Sequence, residues 1–476
     1  MTERDQRPLV VDLDRSLLAT DLLHESVVAL LRSNPLRVFQ LPFWLAKGVL
    51  HLKRQVAQRV EIDAAGLPFN ESVLAFVTDE HERGRRLVLA TASDALLAEK
   101  VAGRLGIFSL VIANNGTTNL KGEKKLAEIR SALGPDAEFE YLGDSRSDLP
   151  IFREASVSHL VNPSAGLLDA ASKTARVGRV FRRDGPKLLP AVAKTVRVHQ
   201  WVKNLLIFLP AILAHDLSSQ VMMTLLAAFL AFSLVASATY IANDLLDLEA
   251  DRKHPVNRKR PIASGRFGLP TAIMMMAVCL AAGLLLAVTI PAPFLGIVAL
   301  YAVLSLAYSG YLKRLLVIDV LALASFYSMR ILAGGVAAGV PISGWLLSFS
   351  IFFFLGLALL KRYVELVMSR SDGKPATARA YFGDDVTFVG TFGVVSGMLA
   401  ILVFVLYLNS GDVVVLYSRP DLLWWVNLPL IYWTMRMWLN ASRGLIHSDP
   451  IISALKDPVS YVCAGAVAAL LLLAIG

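Results

Sequence analysis

Asn243-Asp244-Leu245-Leu246-Asp247-Leu248-Glu249-Ala250-Asp251-Arg252-Lys253-His254 is followed, after Pro255-Val256-Asn257, by Arg258-Lys259-Arg260-Pro261. Four acids, five lysines and arginines and one histidine lie here between two long apolar stretches. Such a cluster does not belong in lipid, and no soluble core would call for it. Asp244, Asp247 and Asp251 are spaced i, i+3, i+7, so a continuous helix would carry all three on one face. Three carboxylates on one face repel unless a cation neutralises them. Mg²⁺ holding a diphosphate does this, because it favours a few carboxylates together with phosphate oxygens. The plain alternative is a solvated helix end of mixed charge beside a membrane.

Working outward, the 476 residues are 55% hydrophobic, with a mean hydropathy of +0.56. That excludes a soluble enzyme and a single domain. The net charge of +9 is concentrated between apolar segments. It therefore points to membrane orientation and anionic substrates, with no nucleic acid as partner. Cys279 and Cys463 lie in apolar runs, which leaves no disulfide framework and no zinc spacing. The opening MTERDQRPLVVDLDRS lacks the apolar core of a signal peptide, so the first part of the chain is expected to be cytoplasmic.

Composition changes near residue 200. Before it, Leu9–Leu13, Leu87–Ala90, Leu110–Ala113 and Glu140–Leu142 read as buried strands between charged helical stretches, which predicts a parallel α/β sheet. Residues 178–199 are basic and proline-containing and read as a connector lying on an anionic membrane face. After it come nine apolar segments, near 204–219, 221–242, 268–290, 292–311, 316–335, 343–360, 388–408, 422–440 and 457–475. Most reach the roughly 20 residues that span a bilayer as helix. Lysine and arginine fall in the even-numbered loops: Arg252 to Arg266, Lys313 and Arg314, Lys361 to Arg379, and Arg443 with Lys456. The cytoplasmic side thus holds those loops and the N-terminal domain, and the C-terminus lies outside. The expected organisation is residues 1–180 as an α/β domain with an insertion at about 22–80, 181–199 as a basic linker, and 200–476 as an all-α polytopic membrane domain of nine transmembrane helices.

NDxxDxxxD at Asn243–Asp251, after the second apolar segment, resembles the UbiA family of intramembrane prenyltransferases. That family has a second aspartate-bearing loop after its fourth helix, here Tyr308 to Asp319. Aromatic prenyltransferases of the family carry DxxxD there, whereas here Asp319 is followed four residues on by Leu323. Arg197-Val-His-Gln-Trp201-Val-Lys203-Asn204, the Asn243 segment and Lys361-Arg362-Tyr363-Val-Glu365-Leu366 are together similar to the decaprenyl-phosphate phosphoribosyltransferase branch. The resemblance spans about 190–475. It implies phosphoribosyl diphosphate as donor, a polyprenyl phosphate lipid as acceptor and a bacterial inner membrane as location.

The resemblance also implies roles. Asn243 opens the substrate-binding motif, and Asp244, Asp247 and Asp251 would hold Mg²⁺ on the diphosphate. Asp319 would add a ligand or orient the ribose hydroxyls. Lys253, Arg258 and Arg260 would bind phosphate oxygens, where the arginine fork suits two acceptors at once. Lys203, Lys313 and Lys361, at helix ends, would bind the lipid phosphate or the 5-phosphate; an orienting or headgroup role is the alternative for each. Arg330 lies within the fifth segment. A charge at that depth marks a cavity or a structural ion pair.

Asp12-Leu13-Asp14-Arg15-Ser16 follows the first strand and resembles motif one of haloacid dehalogenase (HAD)-type phosphatases. In family order come Leu87–Thr91, a strand ending in a hydroxyl; Lys121-Gly-Glu-Lys124-Lys125; and Gly143-Asp144-Ser145-Arg146-Ser147-Asp148. The fold implied is an α/β Rossmannoid sheet with a helical cap. The roles implied are Asp12 as nucleophile, Asp14 as acid and base, and Thr91 and Lys125 as phosphoryl ligands, with Lys121 the other candidate. Asp144 and Asp148 would complete a Mg²⁺ site with Asp12 and Asp14. A decayed phosphatase kept for docking is the alternative. The insertion contains Leu36 to Leu50, aromatic and aliphatic with few charges. It reads either as cap core or as a surface that touches the bilayer.

The fusion suggests two steps, phosphoribosyl transfer to the lipid and then removal of the 5-phosphate. An aromatic prenyltransferase with an independent phosphatase, and a non-catalytic lipid carrier, are the other readings. Isoprenoid length and oligomeric state are not legible in the sequence.

Overall fold

The structure, a computed structural model, describes residues 7–116, 118–182, 188–371, 381–446 and 449–475. Lys374 and Arg379, used above for orientation, lie outside these, as do Met1–Gln6 and residues 183–187 of the connector. The chain forms two compact units. One is Met1–Val196 with Asp244–Met275, and the other is Arg197–Asn243 with Met276–Gly476.

The first unit is built on a parallel sheet. Its strands are β1 (Leu9–Val11), β2 (Leu87–Asp94), β3 (Leu110–Asn114), β4 (Glu140–Gly143), β5 (Val157–Val161) and β6 (Val177–Phe181). They run in the order β3-β2-β1-β4-β5-β6, with Leu9 opposite both Leu87 and Glu140. β1 and β4 are buried throughout, which is why they read as unbroken apolar runs rather than alternating ones. Strand order reverses direction between β1 and β4. The carboxyl ends of these two strands therefore open the crevice where parallel sheets place their ligands. β6 occupies part of the stretch read from sequence as the connector, so the sheet extends to Phe181.

Its helices are α1 (Leu22–Ser33), α2 (Leu41–Ala46), α3 (Val49–Ala57), α4 (Glu71–Glu82), α5 (Ala95–Leu105), α6 (Glu123–Leu133), α7 (Leu149–Glu154), α8 (Ala165–Thr174) and α9 (Leu188–Thr195). α4 sends Val73, Phe76 and Val77 into the main core beneath the sheet, although it overlaps the expected insertion. The insertion proper, α1 to α3, has a small core of its own, with Leu30, Val56 and Val60 packed by Leu41 and Trp44. Under the sheet, buried Glu140 is bonded to His159 at 3.0 Å and paired with Arg85 at 3.0 Å. Burial would raise Glu140, but His159 and the Arg85 charge outweigh it and hold the carboxyl down to about 2.

The second unit is helical. It begins with a short 3₁₀ stretch, Val198–Phe208, and then α10 (Leu209–Leu213). α11 (Ser219–Leu246) leads to α12 (Leu248–Lys253), which with the start of α13 (Leu269–Ala287) belongs to the first unit. There follow α14 (Ala292–Gly310), α15 (Ile318–Ala338), α16 (Gly344–Ser371), α17 (Val386–Leu408), α18 (Gly411–Leu416), α19 (Asn427–Ser442), α20 (Pro450–Ala454) and α21 (Pro458–Ile475).

Among the described residues, seven helices are long and apolar enough to cross a membrane: α11, α13 to α17 and α21. The protein is an integral membrane protein. The nine expected segments all exist, but two are not spanning helices by length. The first is a 3₁₀ turn and five α-helical residues joined at Leu209-Pro210, where a ring nitrogen cannot donate to the helix ladder. The eighth, α19, has 16 residues, or about 24 Å at 1.5 Å per residue.

Candidate functional site

Three constellations stand out, one in the sheet unit, one in its 244–275 segment and one in the helical unit.

At the end of β1 the backbone turns sharply through Arg15, whose φ of 57° is left-handed. Asp12 and Asp14 flank Leu13 at this strand end, and both line the crevice. The Asp12 carboxylate accepts from Lys125 Nζ at 2.7 Å and Ser16 Oγ at 3.0 Å. Lys125 also reaches Asp148 at 3.5 Å and the Tyr141 hydroxyl at 3.0 Å. Asp14 accepts from the Leu22 N–H at 2.7 Å, Ser93 Oγ at 2.7 Å and Thr91 Oγ1 at 3.1 Å. Thr91 is fully buried and its hydroxyl ends on Asp14. A cavity of about 430 Å³ opens here, lined by both catalytic-candidate acids, Asp144, Asp148 and four cations, Arg15, Lys53, Lys121 and Lys125.

Asp12, Asp144 and Asp148 offer carboxylate oxygens all within 4.8 Å of one another, the only such three-acid group among the described residues. An oxygen set of this size and charge fits Mg²⁺. Asp14 lies outside that set. Burial, with Asp148 and Asp14 adding to it against Lys125, pushes Asp12 up to about 7. Burial and the Asp12 charge push Asp144 up to about 8. A divalent ion binds the deprotonated form, so its binding must release protons as pH falls below about 8. Mg²⁺ affinity is accordingly expected to weaken by about tenfold per pH unit between pH 7 and 6 for each proton released. Isothermal titration in two buffers of different ionisation heat would show it; a pH-independent affinity with no proton release would contradict it.

Burial, then the Asp21 charge, also raises Asp14 above the ordinary carboxylate range. That suits a group required to donate a proton near neutrality.

Sequence reasoning missed Lys53, Ser93 and Ser16. Lys53 donates to the Ala92 carbonyl at 2.6 Å, and burial draws it below its ordinary value. Its contact joins α3 to β2 across 39 residues, and no local pattern announces it. Ser93 was readable, two positions past Thr91 on the same strand.

In the 244–275 segment the expected single helix breaks at Asp247, where α11 ends and α12 begins. The break leaves Asp244 and Asp251 converging nonetheless. Arg260 Nη1 lies 3.1 Å from Asp244 and 2.5 Å from Asp251, and Asn257 donates to Asp251 at 2.9 Å. Two buried carboxylates aimed at one cationic point make a donor set that fits Mg²⁺ or a guanidinium. Lys253 is exposed and paired with Asp63 at 3.0 Å and Glu249 at 3.2 Å. Arg258 is exposed, and Asp247 is half-buried. Arg252, not singled out from sequence, makes a two-pronged pair with Glu25 at 2.7 and 2.8 Å. Glu25 sits one turn beyond Leu22, the residue that binds Asp14, so α1 touches both acidic sets.

In the helical unit Asn243 precedes the acids in the last turn of α11. Asp319 is wholly buried and accepts from Arg362 at 2.6 Å and the Tyr381 hydroxyl at 2.8 Å. Arg362 also reaches Glu365 and Tyr308. Lys203 and Lys361 share one oxygen of Asp449, at 3.1 and 3.5 Å. Arg330 donates to Asn204 at 2.7 Å and to the Phe326 carbonyl, and lies 5.0–5.6 Å from the rings of Phe232, Tyr301 and Tyr327. Its partners among the described residues are all neutral. Lys203 stands 5.8 Å from the same Tyr327 ring. Lys203 and the half-buried Lys361 thus face one carboxylate, while Arg330 is buried among neutral partners. Beside them an apolar cavity of about 610 Å³ runs between Leu206, Phe353, Trp433 and Val467, with Lys203 and Tyr327 in its wall. Lys313 is half-buried in the 3₁₀ turn Leu312–Arg314. Asp449 was missed, although Asp-Pro before a helix is a recognisable N-cap signal.

Residues 204–443 match the UbiA prenyltransferase family. Residues 9–153 match the haloacid dehalogenase-like hydrolases. The chain is 35% identical over 98% of its length to protein y4nM of Sinorhizobium fredii, covering 91% of that protein. It is 34% identical to nodulation protein NoeC of Azorhizobium caulinodans, over 56% of this chain and 87% of that one. It is 35% identical to the decaprenyl-phosphate phosphoribosyltransferase of Mycobacterium tuberculosis, over 58% of this chain and 91% of that one.

Proposed function

The chain belongs to the UbiA prenyltransferase family, with a haloacid dehalogenase-like hydrolase domain fused at its N-terminus, and from that premise we propose that it transfers 5-phosphoribose from phosphoribosyl diphosphate to a polyprenyl phosphate and then removes the 5-phosphate. The observation that supports this reading best is the excess of positive charge, Lys203 and Lys361 against the single Asp449 with Arg330 buried among neutral partners, beside an apolar cavity with Lys203 in its wall. A long lipid ending in a phosphate matches both parts. The name borne by the mycobacterial relative supports the same chemistry.

In the transfer step an acceptor phosphate oxygen forms a bond to ribose C1 as the bond from C1 to diphosphate breaks. The acceptor is already an anion, so no base is needed. The chain's contribution is position and charge. Lys203 and Lys361 would hold the lipid phosphate, and Arg258, Arg260 and Lys253 the donor's phosphates. Asp244, Asp247 and Asp251 would carry Mg²⁺, which neutralises the leaving diphosphate. Asp319 is held by Arg362 and Tyr381, and would fix α15 against α16 and so place Arg330.

In the hydrolytic step Asp12 forms a bond to phosphorus as the phosphoester bond breaks, and Asp14 protonates the departing oxygen. Asp14 then takes a proton from the water that attacks the aspartyl-phosphate, releasing phosphate and restoring Asp12. Lys125 neutralises charge on Asp12 and on the phosphoryl oxygens. Mg²⁺ held by Asp12, Asp144 and Asp148 would supply further charge neutralisation. We place the protein in a bacterial inner membrane with its N-terminal domain and even-numbered loops cytoplasmic, where soluble diphosphates are found.

The test is a transfer assay in vesicles containing the purified chain, Mg²⁺, ribose-labelled phosphoribosyl diphosphate and polyprenyl phosphates of several lengths. Label in the lipid phase is expected, first with and later without the 5-phosphate. No lipid label with any acceptor, alongside transfer of a labelled isoprenoid to an aromatic ring, would overturn the reading in favour of aromatic prenyl transfer.

A further inference from the structure

The cap of the hydrolase domain exposes apolar surface that its own fold does not need. α2 buries no residue. Leu41 and Trp44 turn inward to the cap's small core, while Leu36, Phe39 and Phe43 are each 70–72% exposed, with Leu45 and Val49 about half exposed. Leu36 and Phe39 lie in the 3₁₀ stretch Pro35–Gln40 and Phe43 in α2, which follows it directly, so the three come from consecutive turns of one short helical run. A contiguous apolar patch of this kind on a folded domain marks an interaction surface.

Charge identifies the partner. From Ser26 to Val60 the chain contains no aspartate or glutamate; Lys53 turns into the pocket and Arg32 and Arg54 pair with Glu249 and Asp94, which leaves Arg37, Lys47 and Arg59 as the cations beside the patch. Aromatic and aliphatic side chains ringed by cations suit the headgroup region of an anionic bilayer, where the rings enter the acyl boundary and the cations meet lipid phosphates. A soluble protein partner would be met at least as well by mixed charges. The chain is itself a membrane protein, so such a surface is always at hand. The patch also continues into the hydrolase pocket: Val49, its last member, lines the mouth beside Lys53, Leu23 and His24.

We propose that residues 36–49 form an interfacial membrane-contact surface seated on anionic lipid, and that it holds the phosphatase pocket at headgroup level, so that the substrate class is a phosphomonoester carried on a membrane lipid. The substrate part rests on the hydrolase reading above; the membrane contact does not.

The experiment uses the full chain in vesicles of phosphatidylethanolamine with about one-third phosphatidylglycerol. A photoreactive benzoyl-phenylalanine replaces Phe43 in one preparation and exposed Gln58, at the end of α3, in another. Phe43 is expected to label lipid about tenfold more than Gln58, and less when the anionic lipid is omitted. Labelling of protein instead of lipid, or equal labelling at the two sites, overturns the proposal. In parallel, Leu36→Ser/Phe39→Ser/Phe43→Ser is compared with the parent chain. Its kcat/KM on a lipid-linked phosphomonoester is expected to fall about tenfold, with p-nitrophenyl phosphate hydrolysis held within about twofold. Equal rates on the lipid-linked ester overturn the substrate assignment. Lipid labelling at Phe43 with no hydrolysis of any lipid-linked ester would instead sink the proposed function and leave the membrane contact standing.

Discussion

Asp12→Asn is expected to lower phosphomonoester hydrolysis by on the order of 10⁴–10⁶-fold, the usual scale for loss of a covalent nucleophile. The change is nearly isosteric, so the loss belongs to chemistry. Asparagine cannot displace an alkoxide from phosphorus, and it leaves the Lys125 ammonium, now 2.7 Å from a carboxylate oxygen, opposite a neutral amide. Asp148, 3.5 Å from that ammonium, still offers compensation, and the fold is expected to persist. The measurement is phosphate release from p-nitrophenyl phosphate together with acid-quench trapping of labelled aspartyl-phosphate. The parent chain should trap label and the variant should not. Turnover within tenfold of the parent would remove Asp12 from the mechanism. In the lipid assay the variant should still form labelled lipid, but the lipid should keep its 5-phosphate.

The sheet unit was legible because its chemistry is local. Asp12 and Asp14 stand at the end of an apolar run, and Gly143-Asp144 at the end of another. A parallel sheet with a switch point between those strands must bring their ends together. What stayed hidden was tertiary. Lys53 reaches the pocket from the cap, and Glu25 meets Arg252 across 227 residues; neither has a neighbour in sequence that hints at it. β5 and β6 were passed over because Ser158, His159 and Arg179 interrupt their apolar pattern; the first two are satisfied by hydrogen bonds and Arg179 lies over the Phe76 ring, contacts that only the folded chain reveals. In the helical unit hydropathy located every apolar segment, and the first and eighth, the two weakest as spans, are those where the helix falls short, since proline and 3₁₀ turns shorten a helix without changing its composition. The interior cations were visible as types. Their pairing was not: Arg362 with Asp319 and the two lysines with Asp449 join residues 43 to 246 positions apart.

Asp251→Asn is expected to reduce phosphoribosyl transfer by on the order of 10³-fold, the scale expected when a residue that would hold the cation neutralising a developing anion is removed. Asp251 is buried, and its two oxygens accept from Arg260 and Asn257. The variant keeps the shape and one acceptor. It removes a negative charge from a point where Asp244 also converges, so only Asp244 and Asp247 remain for the ion on the diphosphate leaving group. The ground state should suffer less than the transition state, because the diphosphate gains charge as the bond to C1 breaks. The loss should therefore appear in kcat more than in the KM for phosphoribosyl diphosphate. Raising Mg²⁺ should restore part of it if the ion's affinity is what fell, and none if its position is what changed. A carrier would behave differently, since a chain that only binds lipid shows no transfer with either residue at 251. An aromatic prenyltransferase would lose isoprenoid transfer and show no phosphoribosyl transfer to begin with. The same substitution, read in one assay with two donors, thus separates the three chemistries that an acidic loop in a membrane protein can serve.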